Sequence, residues 1–147
     1  MIHLTGTYRI PAPRDAVYRA LRRADVLQRC IEGCEQLTEV QPGEYEAQLR
    51  LGLGAIKGRF TGRAHVTAEQ PPESFTLTVE GKGPGGHVRG EAHLQFSARD
   101  ADTDISCDAT GEAGGALASV GSRLIHAAAS RMMAKFFDTL ATVVPRG

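Results

Sequence analysis

Up to Gly115 apolar and polar residues change places at every second position; beyond it the apolar ones return every third or fourth. The first period belongs to strands with one buried face, the second to a helix with one buried stripe. Ile2, Leu4, Gly6, Tyr8 and Ile10 alternate with His3, Thr5, Thr7 and Arg9, so residues 2–10 read as a strand. Pro11 and Pro13 stop it, and proline suits the first turn of a helix, here residues 15–22 burying Val17, Tyr18 and Leu21. A second short helix is expected over 26–31, capped by Asp25 and stopped by Gly33. Further strands follow at 36–40, 44–53, 59–68, 75–82, 87–98 and 103–112. Turn signals such as Gln41-Pro42-Gly43, Pro71-Pro72 and Gly83-Pro84-Gly85-Gly86 join them. Connections this short predict antiparallel pairing throughout.

The closing segment, 117–144, carries Leu117, Val120, Leu124, Ala128, Met132, Phe136, Leu140 and Val143 on one stripe. Arg123, His126, Ser130, Lys135, Asp138 and Thr142 fall between them. A helix of roughly 27 residues would be about 40 Å long and could cross a small domain. A curved sheet closed over such a helix is a container, which points to binding rather than chemistry.

Alternation also sorts the strand residues into two faces. One holds Tyr45, Ala47, Leu49, Leu51, Phe60, Gly62, Ala64, Val66, Phe75, Leu77, Val79, Gly81, Val88, Gly90, Ala92, Leu94, Phe96, Ile105, Cys107 and Ala109, with no charge among them. The other holds Glu46, Arg50, Arg59, Arg63, His65, Glu80, Arg89, Glu91, His93 and Asp108, and is expected to face water. Glycine and alanine are frequent on the apolar face, which leaves either a retained cavity or a site of close helix packing. A catalytic site would need an acid, base or nucleophile pointing inward. His87, near a turn, is the one histidine that remains a candidate base.

Seventeen basic and seventeen acidic residues balance, which gives nucleic-acid binding no support. Sequences of the form HExxH, GxSxG, GxxxxGK[ST] and paired CxxC are absent. The glycine turns GLGAIKG and GKGPGG open no helix directly, so they read as tight turns rather than phosphate loops. Cys30, Cys34 and Cys107 are an odd set without metal spacing and read as small apolar residues. The start, MIHLTGTYRIPAP, lacks the form of a signal peptide, and no run is long and apolar enough to span a membrane. One domain over 1–147 is expected, cytoplasmic, with reduced thiols and no cofactor.

Several segments together resemble the carbon monoxide dehydrogenase CoxG family, within the START-like helix-grip (SRPBCC) superfamily. They are Ile31-Glu32-Gly33-Cys34-Glu35-Gln36-Leu37, Gly54-Ala55-Ile56-Lys57-Gly58-Arg59-Phe60-Thr61-Gly62, Gly81-Lys82-Gly83, and Gly86-His87-Val88-Arg89-Gly90. Gly114-Gly115-Ala116-Leu117-Ala118, Gly121-Ser122-Arg123-Leu124-Ile125 and Phe136-Phe137 complete the likeness. Glu32 departs from it, since the family commonly has proline there.

The resemblance implies an α+β helix-grip fold: about seven curved antiparallel strands around a long C-terminal helix, with two short helices after the first strand. It further implies a non-catalytic accessory to a molybdenum-containing, CO-dehydrogenase-like enzyme, peripheral to the inner face of the membrane. Longer relatives carry a C-terminal extension suited to anchoring; a chain ending at Gly147 is expected to dock through its surface or a partner. Three functions stay open. The first is binding of an apolar molecule, lipid-like or quinone-like, by Leu49, Leu51, Phe60, Leu77, Val79, Phe96, Leu124, Ala128, Met132 and Phe136. The second is a ligand-free assembly or membrane-docking factor, and the third a START-like cyclase, isomerase or hydrolase.

Overall fold

The alternating segments form strands β1 (Ile2–Ile10), β2 (Cys34–Gln41), β3 (Glu44–Leu53), β4 (Ile56–Gln70), β5 (Ser74–Gly83), β6 (Gly86–Arg99) and β7 (Asp102–Gly115). They pair antiparallel in one sheet of order β1-β7-β6-β5-β4-β3-β2. The computed structural model describes residues 1–53 and 56–144, without the side chains of 53 and 56. The turn reading of GLGAIKG therefore falls at Gly54 and Ala55 outside the described residues.

Helices α1 (Arg14–Ala20) and α2 (Ala24–Cys30) follow β1, and α3 (Ser122–Val143) closes the fold. Asp25 does not cap α2: Arg23 takes the cap position, and its guanidinium forks onto the Asp25 carboxylate at 3.1 and 2.8 Å. Gly33, at φ +78°, does end the turn after α2.

The long helix starts later than its apolar stripe. Residues Ala116–Val120 form a 3-10 turn, Gly121 breaks the chain at φ +102°, and α3 begins at Ser122. Its 22 residues make a helix about 33 Å long. Leu117 is buried beneath the β5–β6 turn, its N–H donating to the Gly85 carbonyl at 3.2 Å.

The solid core lies at one end of the sheet, where α1 and the last turns of α3 meet it. Ile10, Val17, Leu21, Phe75, Leu94, Phe96, Ile105, Phe137, Leu140 and Val144 are buried there together. Rings of Tyr18, Phe75 and Phe96 meet pairwise at 5.5–5.6 Å, and Tyr8 stacks on Phe137 at 4.4 Å.

A break in the β4 ladder between Thr67 and Gln70, with Ala68 at φ +50°, turns Glu69 toward α1. The Tyr18 hydroxyl donates to Glu69 Oε2 at 2.7 Å, Arg22 pairs with the same oxygen, and the Tyr45 hydroxyl donates to the Arg22 carbonyl at 2.6 Å. Burial, reinforced by the Glu69 carboxylate, pushes the Tyr18 phenol up, so it stays a donor. Tyr18→Phe should lower stability by about 1 kcal/mol without changing the denaturant slope, as read by urea unfolding.

Candidate functional site

Side-chain size on the helix-facing side of the sheet falls from the core end toward the β5–β6 turn. In register, Phe96 and Ile105 are followed by Phe75, Leu94 and Cys107, then by Val66, Leu77, Ala92 and Ala109. Next come Tyr45, Ala64, Val79, Gly90 and Gly111, and then Ala47, Gly62, Gly81, Val88 and Ala113. In the last two rows only Tyr45, Val79 and Val88 are larger than alanine.

The helix does not fill the space. α3 runs along β1 and α2, with a slighter approach to β3. A Cβ placed on Gly62, Gly81 or Gly111 would find only sheet atoms within 4 Å, among them Leu49 Cδ1 and Val88 Cγ2. Close packing of the helix on these glycines, one of the two readings open from the sequence, is absent. Val79 and Val88, although on the inner face, keep 39% and 37% of their surface, and Leu124 on α3 keeps 45%. On the helix side of β4–β6 an apolar hollow is thus left uncovered by α3, whose own Leu124 is exposed as well.

The residues singled out for ligand contact occupy different parts of this region. Val79 and Leu124 are exposed, and Leu49, Leu51, Leu77, Ala128, Met132 and Phe136 are half-buried. Phe60 is buried, its ring lying over Gly83 so closely that no Cβ would fit there. Phe96 sits apart, sealed in the aromatic cluster with Tyr18 and Phe75, six residues along β6 from Gly90.

The histidines lie elsewhere. His3 meets Asp108 at 2.6 Å, His65 meets Glu44 at 3.8 Å and His93 meets Glu91 at 3.1 Å, all on the outer face. His87 is exposed there too, its ring resting over Gly114, so the one candidate base points away from the hollow. His126 lies beside Ile2 and His3. Among the described residues no three His, Cys, Asp or Glu side chains gather as a metal site, and no helix is long and apolar enough to cross a membrane.

Burial pushes the Cys30 and Cys107 thiols up to about 11, and Cys34 up less far. A thiol kept protonated by the fold adds stability that is complete below its ordinary value of 9.0 and is lost as pH rises toward about 11. At pH 8 a disulfide reagent should therefore modify Cys34 first, reaching Cys30 and Cys107 only on unfolding.

The outer face has a shape of its own. In register across β3–β7, Glu46, Arg63, Glu80, Arg89 and Glu112 alternate in sign. They floor a trough of about 720 Å³ that runs from Val40 to Met1.

Glu32, the residue that stands where proline is common in the resembling family, reaches α3. Its two carboxylate oxygens stand 3.3 Å from Arg131 Nη2 and 3.8 Å from Lys135 Nζ. Nothing in the sequence announces pairs between residues so far apart along the chain.

Comparison with known proteins agrees with this architecture. The CoxG family (carbon monoxide dehydrogenase subunit) matches residues 6–145. A conserved protein from Geobacillus kaustophilus is similar at 27% identity and TM-score 0.89, over 96% of this chain and 93% of that one. A START superfamily protein from Mycobacterium smegmatis shares the fold at 8% identity and TM-score 0.74, over 97% and 96% of the two chains. The Zhui aromatase/cyclase from Streptomyces sp. R1128 does so at 18% identity and TM-score 0.61, over 95% and 91%. No protein of curated function matches the sequence.

Proposed function

The chain belongs to the carbon monoxide dehydrogenase CoxG family, and from that premise we propose that it is a non-catalytic accessory protein holding an apolar small molecule in the hollow under α3. The observation that carries the proposal is the glycine-rich inner face that α3 leaves uncovered, with Val79 and Val88 still open to solvent. Apolar surface left wet in a concave site gains free energy when a ligand covers it. Leu49, Leu51, Leu77, Val79, Leu124, Ala128 and Met132 are the proposed contacts, Phe60 and Phe136 the end walls, and Phe96 the packing beneath.

No charged side chain belongs to the sheet surface of the hollow, so selectivity comes from shape and apolar character. An elongated neutral molecule, lipid-like or quinone-like, suits it. The family name supports a partner of the CO-dehydrogenase type, which the ligand would serve. Titration with a neutral isoprenoid quinone should give saturable one-to-one binding with a negative heat-capacity change. Absence of saturable binding would refute the proposal.

The outer trough favours a second reading, docking of the partner enzyme on the charged sheet face. Charge reversal at Arg63 and Arg89 should then weaken partner capture without altering quinone binding. That outcome would assign ligand and partner to opposite faces of one sheet.

A further inference from the structure

One wall of the hollow is tied rather than packed. Between the end of α2 and the start of β2, residues 31–33 run from α3 to β3, the strand that α3 approaches less than it does β1. On the sheet end the tie is a backbone hydrogen bond: the Arg50 N–H donates to the Gly33 carbonyl at 2.8 Å. Gly33 is pressed so closely on the Arg50 carbonyl that a Cβ would not fit, and the same Cβ would lie 3.3 Å from the Leu51 side chain. On the helix end the tie is electrostatic. Glu32 spans Arg131 and Lys135, one helical turn apart on α3, at 3.3 and 3.8 Å.

We propose that residues 31–33 form a latch over the β3 side of the hollow, closed by Glu32 on Arg131 and Lys135, through which the ligand enters and leaves. The inference rests on the ligand-binding reading given above and adds how exchange is controlled. Two features fit a latch better than a fixed wall, and a third places it beside the hollow. The Glu32 side chain is 30% exposed while those of Arg131 and Lys135 are 64% and 59% exposed, so water and salt reach the pair. An ion pair of that exposure is weak and screened, hence readily opened. The β2 ladder is interrupted between Cys34 and Gln36, so the segment can lift from a discontinuity rather than tear a continuous strand. Leu51, a proposed ligand contact, lies directly against Gly33, which puts the tie at the edge of the hollow.

The test uses the full chain and N-phenyl-1-naphthylamine, an uncharged apolar fluorescent probe, with uptake and release followed by stopped flow. Glu32→Gln, and separately Arg131→Gln with Lys135→Gln, should speed uptake and release together by about fivefold, the scale of a partly screened pair. Affinity should stay nearly unchanged. Salt should accelerate exchange in the parent chain and have little effect in either variant. Rates equal to the parent's in both variants, or a change in affinity without a change in uptake, would overturn the latch. Amide exchange at Arg50 gives a readout independent of any ligand. It should quicken about fivefold in Glu32→Gln, and unchanged exchange would overturn the latch even with no probe bound. Failure of every form to bind probe, with faster Arg50 exchange, would sink the ligand reading and the entry route with it, leaving only a tie at residues 31–33 that Glu32 holds closed.

Discussion

Replacing Phe96 by alanine should lower the unfolding free energy by about 3–5 kcal/mol and leave apolar-probe affinity unchanged. The ring is buried between Tyr18 at 5.5 Å and Phe75 at 5.6 Å, and the Phe96 N–H donates to the Glu73 carbonyl at 2.8 Å, so the backbone is held and the void cannot collapse. Loss of transfer energy and the cavity left behind then add. For a domain of this size each kcal/mol moves the melting temperature by about 2–4 °C, so the loss is easily read by thermal unfolding. A variant that stayed stable but bound probe weakly would place Phe96 in the ligand site after all.

Val79→Trp should do the reverse, lowering probe affinity by at least about tenfold while changing stability by less than about 1 kcal/mol. Val79 points inward yet keeps 39% of its surface, and its strand neighbour Gly90 offers no side chain to collide with. The indole would occupy the hollow in place of a ligand, and tryptophan fits a half-buried strand. Were the space already filled, the added volume would cost about 1–3 kcal/mol through overpacking. Stability and affinity measured on the same preparation separate the two cases. Together the Phe96 and Val79 variants divide the inner face into a packed half and an open half.

The division of the sheet into an uncharged and a charged face is legible from period-two alternation alone. The register of β3–β7 follows it up to the bulge in β4, whereas β2 sets Glu39 beside the inner-face Tyr45. Strand ladders are set by backbone pairing, so their ends run past the last alternating side chain, as at the far end of β7. The start of α3 is hidden for a specific reason. Leu117 and Val120 are three residues apart, a spacing that a 3-10 turn and an α-helix share. Only the backbone at Gly121 separates the two. Glu69 is hidden by the bulge at Ala68, which reverses its side without leaving a mark in the residue pattern.

The candidate site divides in the same way. A surplus of glycine and alanine on the inner face is visible in the sequence, but whether a helix rests on them depends on where α3 docks. That is fixed by distant contacts such as Tyr8 on Phe137. Membership of the apolar face placed Phe96 and Val79 in one set, since alternation reports the face of a residue and not its position along the hollow. The Glu32 pairs with Arg131 and Lys135 join residues 99 or more apart, beyond any local spacing rule.

The most direct test of the central claim is native mass spectrometry of the purified chain after incubation with a neutral isoprenoid quinone, beside Val79→Trp treated identically. A one-to-one adduct on the parent chain, absent from Val79→Trp, is the predicted result. An adduct of equal abundance on both, or none on the parent chain, would contradict an apolar ligand site between the sheet and α3.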